Sequence, residues 1–231
     1  MSQFIRPFGP TIYRGRLSDE EITYIQKVAD ESLEANKRVG KLLVGMMKDH
    51  MAAHVNDVDK FMSMLTPHIV KYAKYEYERR NELRFKGDGI QSRDEIDWDS
   101  FTFNLGKGPW VNFQRAGEYQ PCHEHTGKIS SVVYINMPPE IAKEEYTKDT
   151  NINCPGQIEF LYGSGDIGST GTQKFIPVTG DILLFPSELK HIAYPFHTKD
   201  VTRISMSFNV FDWKIEGKKT WQHSIINILL F

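Results

Sequence analysis

Apolar and polar positions follow two different rhythms, and the rhythm changes near residue 96. Before it, Ile22, Ile25, Ala29 and Leu33 recur every three or four residues, which predicts a helix with one apolar face. The stretch Leu17-Ser18-Asp19-Glu20-Glu21-Ile22 marks its start. Ser18 can cap, Glu21 can close a capping box, and Leu17 with Ile22 can staple the entry. A second helical stretch runs through Val58, Phe61, Leu65, Ile69 and Tyr72, with Pro67 marking a kink or a restart. Residues 38–56, rich in Lys, Gly and Met, show weaker periodicity and predict no definite element. The charges on the second stretch (Lys71, Lys74, Glu76, Glu78, Arg79, Arg80) read as solvated faces.

After residue 96 the runs become short, β-branched and aromatic, and Gly, Pro, Asn and Asp separate them. Strands are predicted over 98–105, 110–114, 129–136, 157–162, 174–178, 181–185, 191–196 and 203–211. Short strands with no helical pattern between them predict an antiparallel sandwich or jelly roll. The expected organisation is one domain over 1–231. Residues 1–96 form a mostly helical support, 97–213 a jelly-roll core and 214–231 a C-terminal extension. Two long loops, Met137 to Gly156 and Gly163 to Thr172, read as lids, substrate-binding elements or plain surface excursions.

Composition changes this picture little. A chain of 231 residues with 40% hydrophobic and 25% charged content is globular, and a net charge of −2 offers no field for nucleic acid or an anionic membrane. The apolar runs are too short to span a bilayer, and the first ten residues lack a secretory pattern. Cys122 and Cys154 are expected as reduced thiols in a cytoplasmic protein, with Cys122 a small core residue.

The candidate chemistry lies in three pieces. His123-Glu124-His125 places two imidazoles at i and i+2, which a strand projects to one face while Glu124 turns away. Eight histidines in a shuffled chain of this length would give roughly 0.24 such pairs, so the pair alone decides little. Gly180 to His191 reads as turn, buried strand, Pro-marked turn and then a histidine opening the next strand, able to bring a third ligand across the sheet. In the last piece, Arg203, Ser205, Ser207 and Asn209 alternate with Ile204, Met206, Phe208 and Val210, so one face is polar and the other apolar. An inward Arg203 offers a planar fork that matches a carboxylate with two parallel hydrogen bonds, whereas an outward one would be a surface ion pair.

The order H-x-H, a long gap, G-D-I-L-L-F-P-S-x-L-x-H, then R-x-S resembles the 2-oxoglutarate/Fe(II)-dependent dioxygenases. More narrowly, it resembles the bacterial and phage group related to prolyl hydroxylases. The resemblance covers roughly residues 98–211 and implies a double-stranded β-helix, a cupin-like jelly roll with helices packed outside. It implies Fe(II) on His123, His125 and His191, with 2-oxoglutarate as small-molecule co-substrate and O2 as oxidant. Arg203 would take the far carboxylate of 2-oxoglutarate and Tyr134 would assist. Ser205 is a further donor, and Asn112 or Gln114 on the preceding strand could touch the co-substrate. His125 stands where most of the superfamily has Asp or Glu. It is kept as the ligand, since Glu124 could serve only on a bulged strand. The implied activity is a hydroxylase acting on a peptidyl or amino-acid side chain, with proline one possibility. A three-histidine zinc hydrolase or lyase, and a non-catalytic metal- or carboxylate-binding jelly roll, remain as alternatives.

Overall fold

Helix α1 (Asp19–Ala35) starts where the capping pattern predicts: the Ser18 side chain accepts from the Glu21 N–H, and the Glu21 carboxylate accepts from the Ser18 N–H. The computed structural model describes residues 2–7, 9–40, 43–84, 96–144, 154–163 and 171–217, with backbone alone at 80–84, 216 and 217. The buried stripe of α1 is Ile25, Val28, Ala29 and Ser32. Leu33, expected on that stripe, is 42% exposed. Ser32 tolerates burial because its hydroxyl donates to the Val28 carbonyl and accepts from the His54 N–H.

In chain order, the strands before the second helix are β1 (Gln3–Ile5), β2 (Ile12–Arg16) and β3 (Asp49–Ala52). Helix α2 (Val58–Arg84) runs through Pro67 without a restart. Then come β4 (Ile96–Asn104), β5 (Trp110–Gln114), β6 (Gln120–His123), β7 (Ile129–Asn136), a short α3 (Pro139–Ala142), β8 (Ile158–Leu161), β9 (Thr172–Phe175), β10 (Asp181–Pro186), β11 (Lys190–Ala193), β12 (Arg203–Val210) and β13 (Asp212–Gly217). Seven strands form a large sheet in the order β1-β2-β10-β7-β12-β5-β3, and four form a small one, β6-β11-β8-β9. A β13-β4 ribbon completes the fold. Every pairing is antiparallel. This is the expected double-stranded β-helix with a helical layer outside.

Side-chain alternation assigns the two faces of the large sheet. Val133, Ile135, Ile182, Leu184, Met206 and Phe208 point to the helices and pack with Phe61, Leu65 and Ile69 of α2. Val132, Tyr134, Leu183 and Phe185 point the other way and pack on Ile158, Phe160 and Phe175 of the small sheet. Each large apolar side chain so buried contributes about 1.5–3 kcal/mol.

Strands β1, β2 and β3 come from the stretch expected to be helical support. Asp181 of β10 fastens β2 by accepting from Arg14 and Arg16. In the two long loops, residues 145–153 and 164–170 lie outside the described residues, as do 218–231 of the expected C-terminal extension. Among the described residues, no helix is long and apolar enough to cross a membrane.

Candidate active site

His191 and His123 meet because β11 and β6 pair antiparallel with these two residues as direct partners. Two residues further, Ala193 faces Gln120 instead of Pro121, so β6 carries one extra residue, a bulge around Pro121–Cys122. Pro121 can sit there because β6 is an edge strand and a bulge needs no ladder N–H. Cys122, expected in the core, is exposed like Glu124 on the other side of His123, because the side of this edge strand that turns away from the site meets solvent; Cys154 is the buried free thiol.

The strand ends at His123, so His125 reaches the site by another route than i, i+2 geometry. Its backbone N–H donates to the Ser187 carbonyl at 2.9 Å, which pins the chain against the β10–β11 turn. The three rings nonetheless converge, with centroids 4.2 Å apart for His123–His191, 5.0 Å for His123–His125 and 5.2 Å for His125–His191. One ligand atom from each lies within 4.8 Å of the others. Glu124 is exposed and outside this group.

Hydrogen bonding orients two of the rings. His123 Nδ1 lies 2.7 Å from the Pro121 carbonyl, and His191 Nδ1 lies 2.9 Å from the Leu189 carbonyl. A carbonyl only accepts, so each Nδ1 carries the proton and each Nε2 keeps its lone pair for a metal. Burial lowers all three basicities. It pushes His191 down to about 3, helped by His123 and His125, and His125 down to about 4, helped by His123. His123 is lowered as well, with burial again the main cause. A neutral, lone-pair-bearing triad is the donor set that a divalent cation requires.

Beside the triad, the inner face of the large sheet presents a polar row. His50 of β3 faces Asn112 of β5, Asn112 faces Ser205 of β12, and Ser205 faces Tyr134 of β7. A bulge at Ile135 lies between the Ser205–Tyr134 and Ile204–Asn136 pairs, next to Arg203. Trp110, Asn112, Tyr134, Arg203, Ser205 and Ser207 line the same cavity as the three histidines. It encloses about 390 Å3, open solvent at its mouth included. Arg203 is therefore inward, as the alternation predicted. Gln114 is committed elsewhere: its amide donates to the Glu118 and Tyr194 carbonyls.

Arg203 is 4% exposed. Its Nη1 donates to the Gly156 carbonyl at 2.9 Å, its Nε is buried without a partner among the described residues, and its guanidinium lies 5.3 Å from the centre of the Tyr134 ring. Among the described residues the Tyr134 hydroxyl is equally buried and unpartnered, as is Trp110 Nε1. Burial pushes the Tyr134 phenol up to about 12, with Arg203 opposing, and pulls the Arg203 guanidinium down. Unpartnered buried donors are costly. Here three of them belong to residues that line the cavity of the three imidazoles, and with the Arg203 guanidinium they make a cradle for an anion with several acceptor oxygens. Ser207 lies on the polar face that the alternation of β12 predicted, whereas Trp110 and His50 were not singled out from the sequence. The alternation that places Asn112 inward also places Trp110 inward, whereas His50 lies on a strand with no legible pattern.

Residues 108–209 match the sequence model of a family described as "Putative 2OG-Fe(II) oxygenase". No curated protein sequence is similar enough to count as a relative. Among solved structures, the chain is similar to a Pseudomonas putida prolyl-4-hydroxylase (13% identity, 86% of this chain and 92% of that one, TM-score 0.45). It is also similar to a Trichoplax adhaerens prolyl hydroxylase in complex with a hypoxia inducible factor peptide fragment (14%, 91% and 83%, 0.45). A non-heme alpha ketoglutarate dependent carbocyclase from nogalamycin biosynthesis is similar too (12%, 90% and 81%, 0.48). These likenesses are loose, and the weight rests on the matched segment. It contains His123, His125, His191, Arg203, Tyr134, Ser205 and Asn112, and over these residues the chain is similar to the 2OG-Fe(II) oxygenases.

Proposed function

We propose that this protein is a 2-oxoglutarate-dependent hydroxylase in which His123, His125 and His191 hold Fe(II) through their ring nitrogens. Arg203 takes the far carboxylate of 2-oxoglutarate with its fork, Tyr134 donates its hydroxyl to the same group, and Ser205 and Asn112 supply further polar contacts. The observation that carries this reading is the pair of buried groups without a partner among the described residues, Arg203 Nε and the Tyr134 hydroxyl, beside three neutral imidazoles. A zinc hydrolase would leave both without a task. Bound Fe(II) with 2-oxoglutarate and O2 supplies the oxidation: the co-substrate becomes succinate and CO2, and one oxygen atom enters a substrate C–H bond. The chain's own residues orient the diacid, hold its charge in a water-poor cavity and keep the imidazoles unprotonated. The substrate class, a peptidyl or amino-acid side chain with proline foremost, follows from the motif resemblance. Two unpaired thiols fit a cytoplasmic setting.

Anaerobic titration of the Fe(II)-loaded protein with 2-oxoglutarate is expected to produce a weak visible charge-transfer band. Admitting O2 with proline-containing peptides is expected to release succinate and add one oxygen to the peptide. A protein that retains only zinc and gives no band with Fe(II) refutes the reading.

A further inference from the structure

We infer that His50 is a positioning residue that fixes the Asn112 side-chain amide so that its NH2 group, not its carbonyl, faces the cavity and binds a carboxylate of the co-substrate. This deepens the proposed function and rests on it. His50 lies on β3 at the edge of the large sheet and is the direct cross-strand partner of Asn112. Its Nδ1 lies 2.7 Å from Asn112 Oδ1, and the two residues are 2% and 4% exposed. An amide oxygen only accepts, so the contact requires a proton on His50 Nδ1. The Asn112 oxygen is thereby turned to β3, and its nitrogen is left for the side that lines the cavity with Ser205 and Tyr134.

The opposite arrangement is chemically possible in an isolated pair. With His50 protonated at Nε2 instead, the bare Nδ1 would accept from the Asn112 NH2, and the carbonyl would face the cavity. That would set an acceptor against an anion. The tautomer of His50 therefore decides whether Asn112 attracts or repels a carboxylate. His50 cannot easily swing away, because its neighbour Asp49 accepts from both Arg38 and Arg115 and clamps β3 in place. His50 has no reach to the triad's role: it belongs to the opposite sheet, with two strands between its own and that of Tyr134.

Nitrogen-15 NMR of the histidine rings in the unliganded protein tests the tautomer directly, and protonation at Nδ1 of His50 is expected. A proton on Nε2 with a bare Nδ1 overturns the inference without reference to 2-oxoglutarate. Binding of 2-oxoglutarate to Fe(II)-loaded protein, followed anaerobically by absorbance, tests the consequence. His50→Leu is expected to weaken it about tenfold, the worth of one hydrogen bond to a charged group. His50→Asn, whose amide nitrogen can occupy the place of Nδ1, is expected to restore it to within about threefold. The double variant His50→Leu/Asn112→Leu is expected to bind no worse than Asn112→Leu alone, since the effect of His50 passes through Asn112. Wild-type binding that His50→Leu leaves unchanged, or that His50→Asn fails to rescue, overturns the inference alone. No 2-oxoglutarate binding to the wild-type protein overturns the proposed function and this inference together.

Discussion

Arg203 and Tyr134 show how a single side chain can oppose stability and serve binding. A guanidinium buried with one carbonyl partner and no described carboxylate is a desolvation cost that the ligand-free fold bears. Arg203→Met keeps the volume and removes the charge. It is expected to stabilise the metal- and ligand-free protein by ~1 kcal/mol in a urea titration while weakening 2-oxoglutarate binding about 100-fold or more. Tyr134→Phe removes an unpartnered hydroxyl and is expected to leave the ligand-free midpoint unchanged or slightly raised, with binding about tenfold weaker. If either variant destabilises the free protein and spares binding, the cradle is structural and holds no diacid. At this scale the sequence was informative wherever strict alternation held, as from Arg203 to Val210. It misled at Cys122, whose side of the edge strand β6 meets solvent and not the core, and His50 went unnoticed because its partner lies 62 positions away.

The elements with long, one-sided apolar patterns were legible, and those whose inner face is polar were not. Strand β3 reads Asp-His-Met-Ala, too short and too polar to signal a strand, because its polar His50 is the residue turned toward the site. Strand β6, Gln-Pro-Cys-His, hides for the same reason and carries a proline besides. Helix α2 is the converse case: its apolar spacing persists through Pro67, and packing of Phe61, Leu65, Ile69 and Tyr72 outweighs the break. Pro67 is exposed, lacks the N–H that would donate to Ser63, and is not part of the buried core. Pro67→Ala is therefore expected to raise stability by about 1–3 kcal/mol, read as a higher urea midpoint with unaltered 2-oxoglutarate binding. A lower midpoint would mean that the sheet packs only against a helix bent at that residue.

At the scale of the whole molecule, five imidazoles among the described residues are held below their ordinary basicity, each chiefly by burial: His50, His68, His123, His125 and His191. Their folded pKa values lie under the unfolded value of about 6.5, so below that pH the unfolded chain binds protons that the folded one refuses. Stability is then complete above pH ~7 and is lost as the pH falls, by up to about 1.4 kcal/mol per pH unit for each imidazole until its folded pKa is reached. For His125 and His191 that limit lies at about 4 and about 3. Calorimetric unfolding of the metal-free protein in two buffers of different ionisation enthalpy should show net proton uptake at pH 5.5 and almost none from these groups at pH 8. The same burial has the opposite consequence for the folded state. A triad of ordinary imidazoles would lose about fiftyfold in metal affinity between pH 7.5 and 6, as protons fill the lone pairs. Here the lone pairs stay free, and the affinity of the folded protein for a divalent cation is expected to change by less than about threefold over that range. A fiftyfold loss would show the three rings open to water, and the dry cavity on which the binding of the diacid depends would not exist.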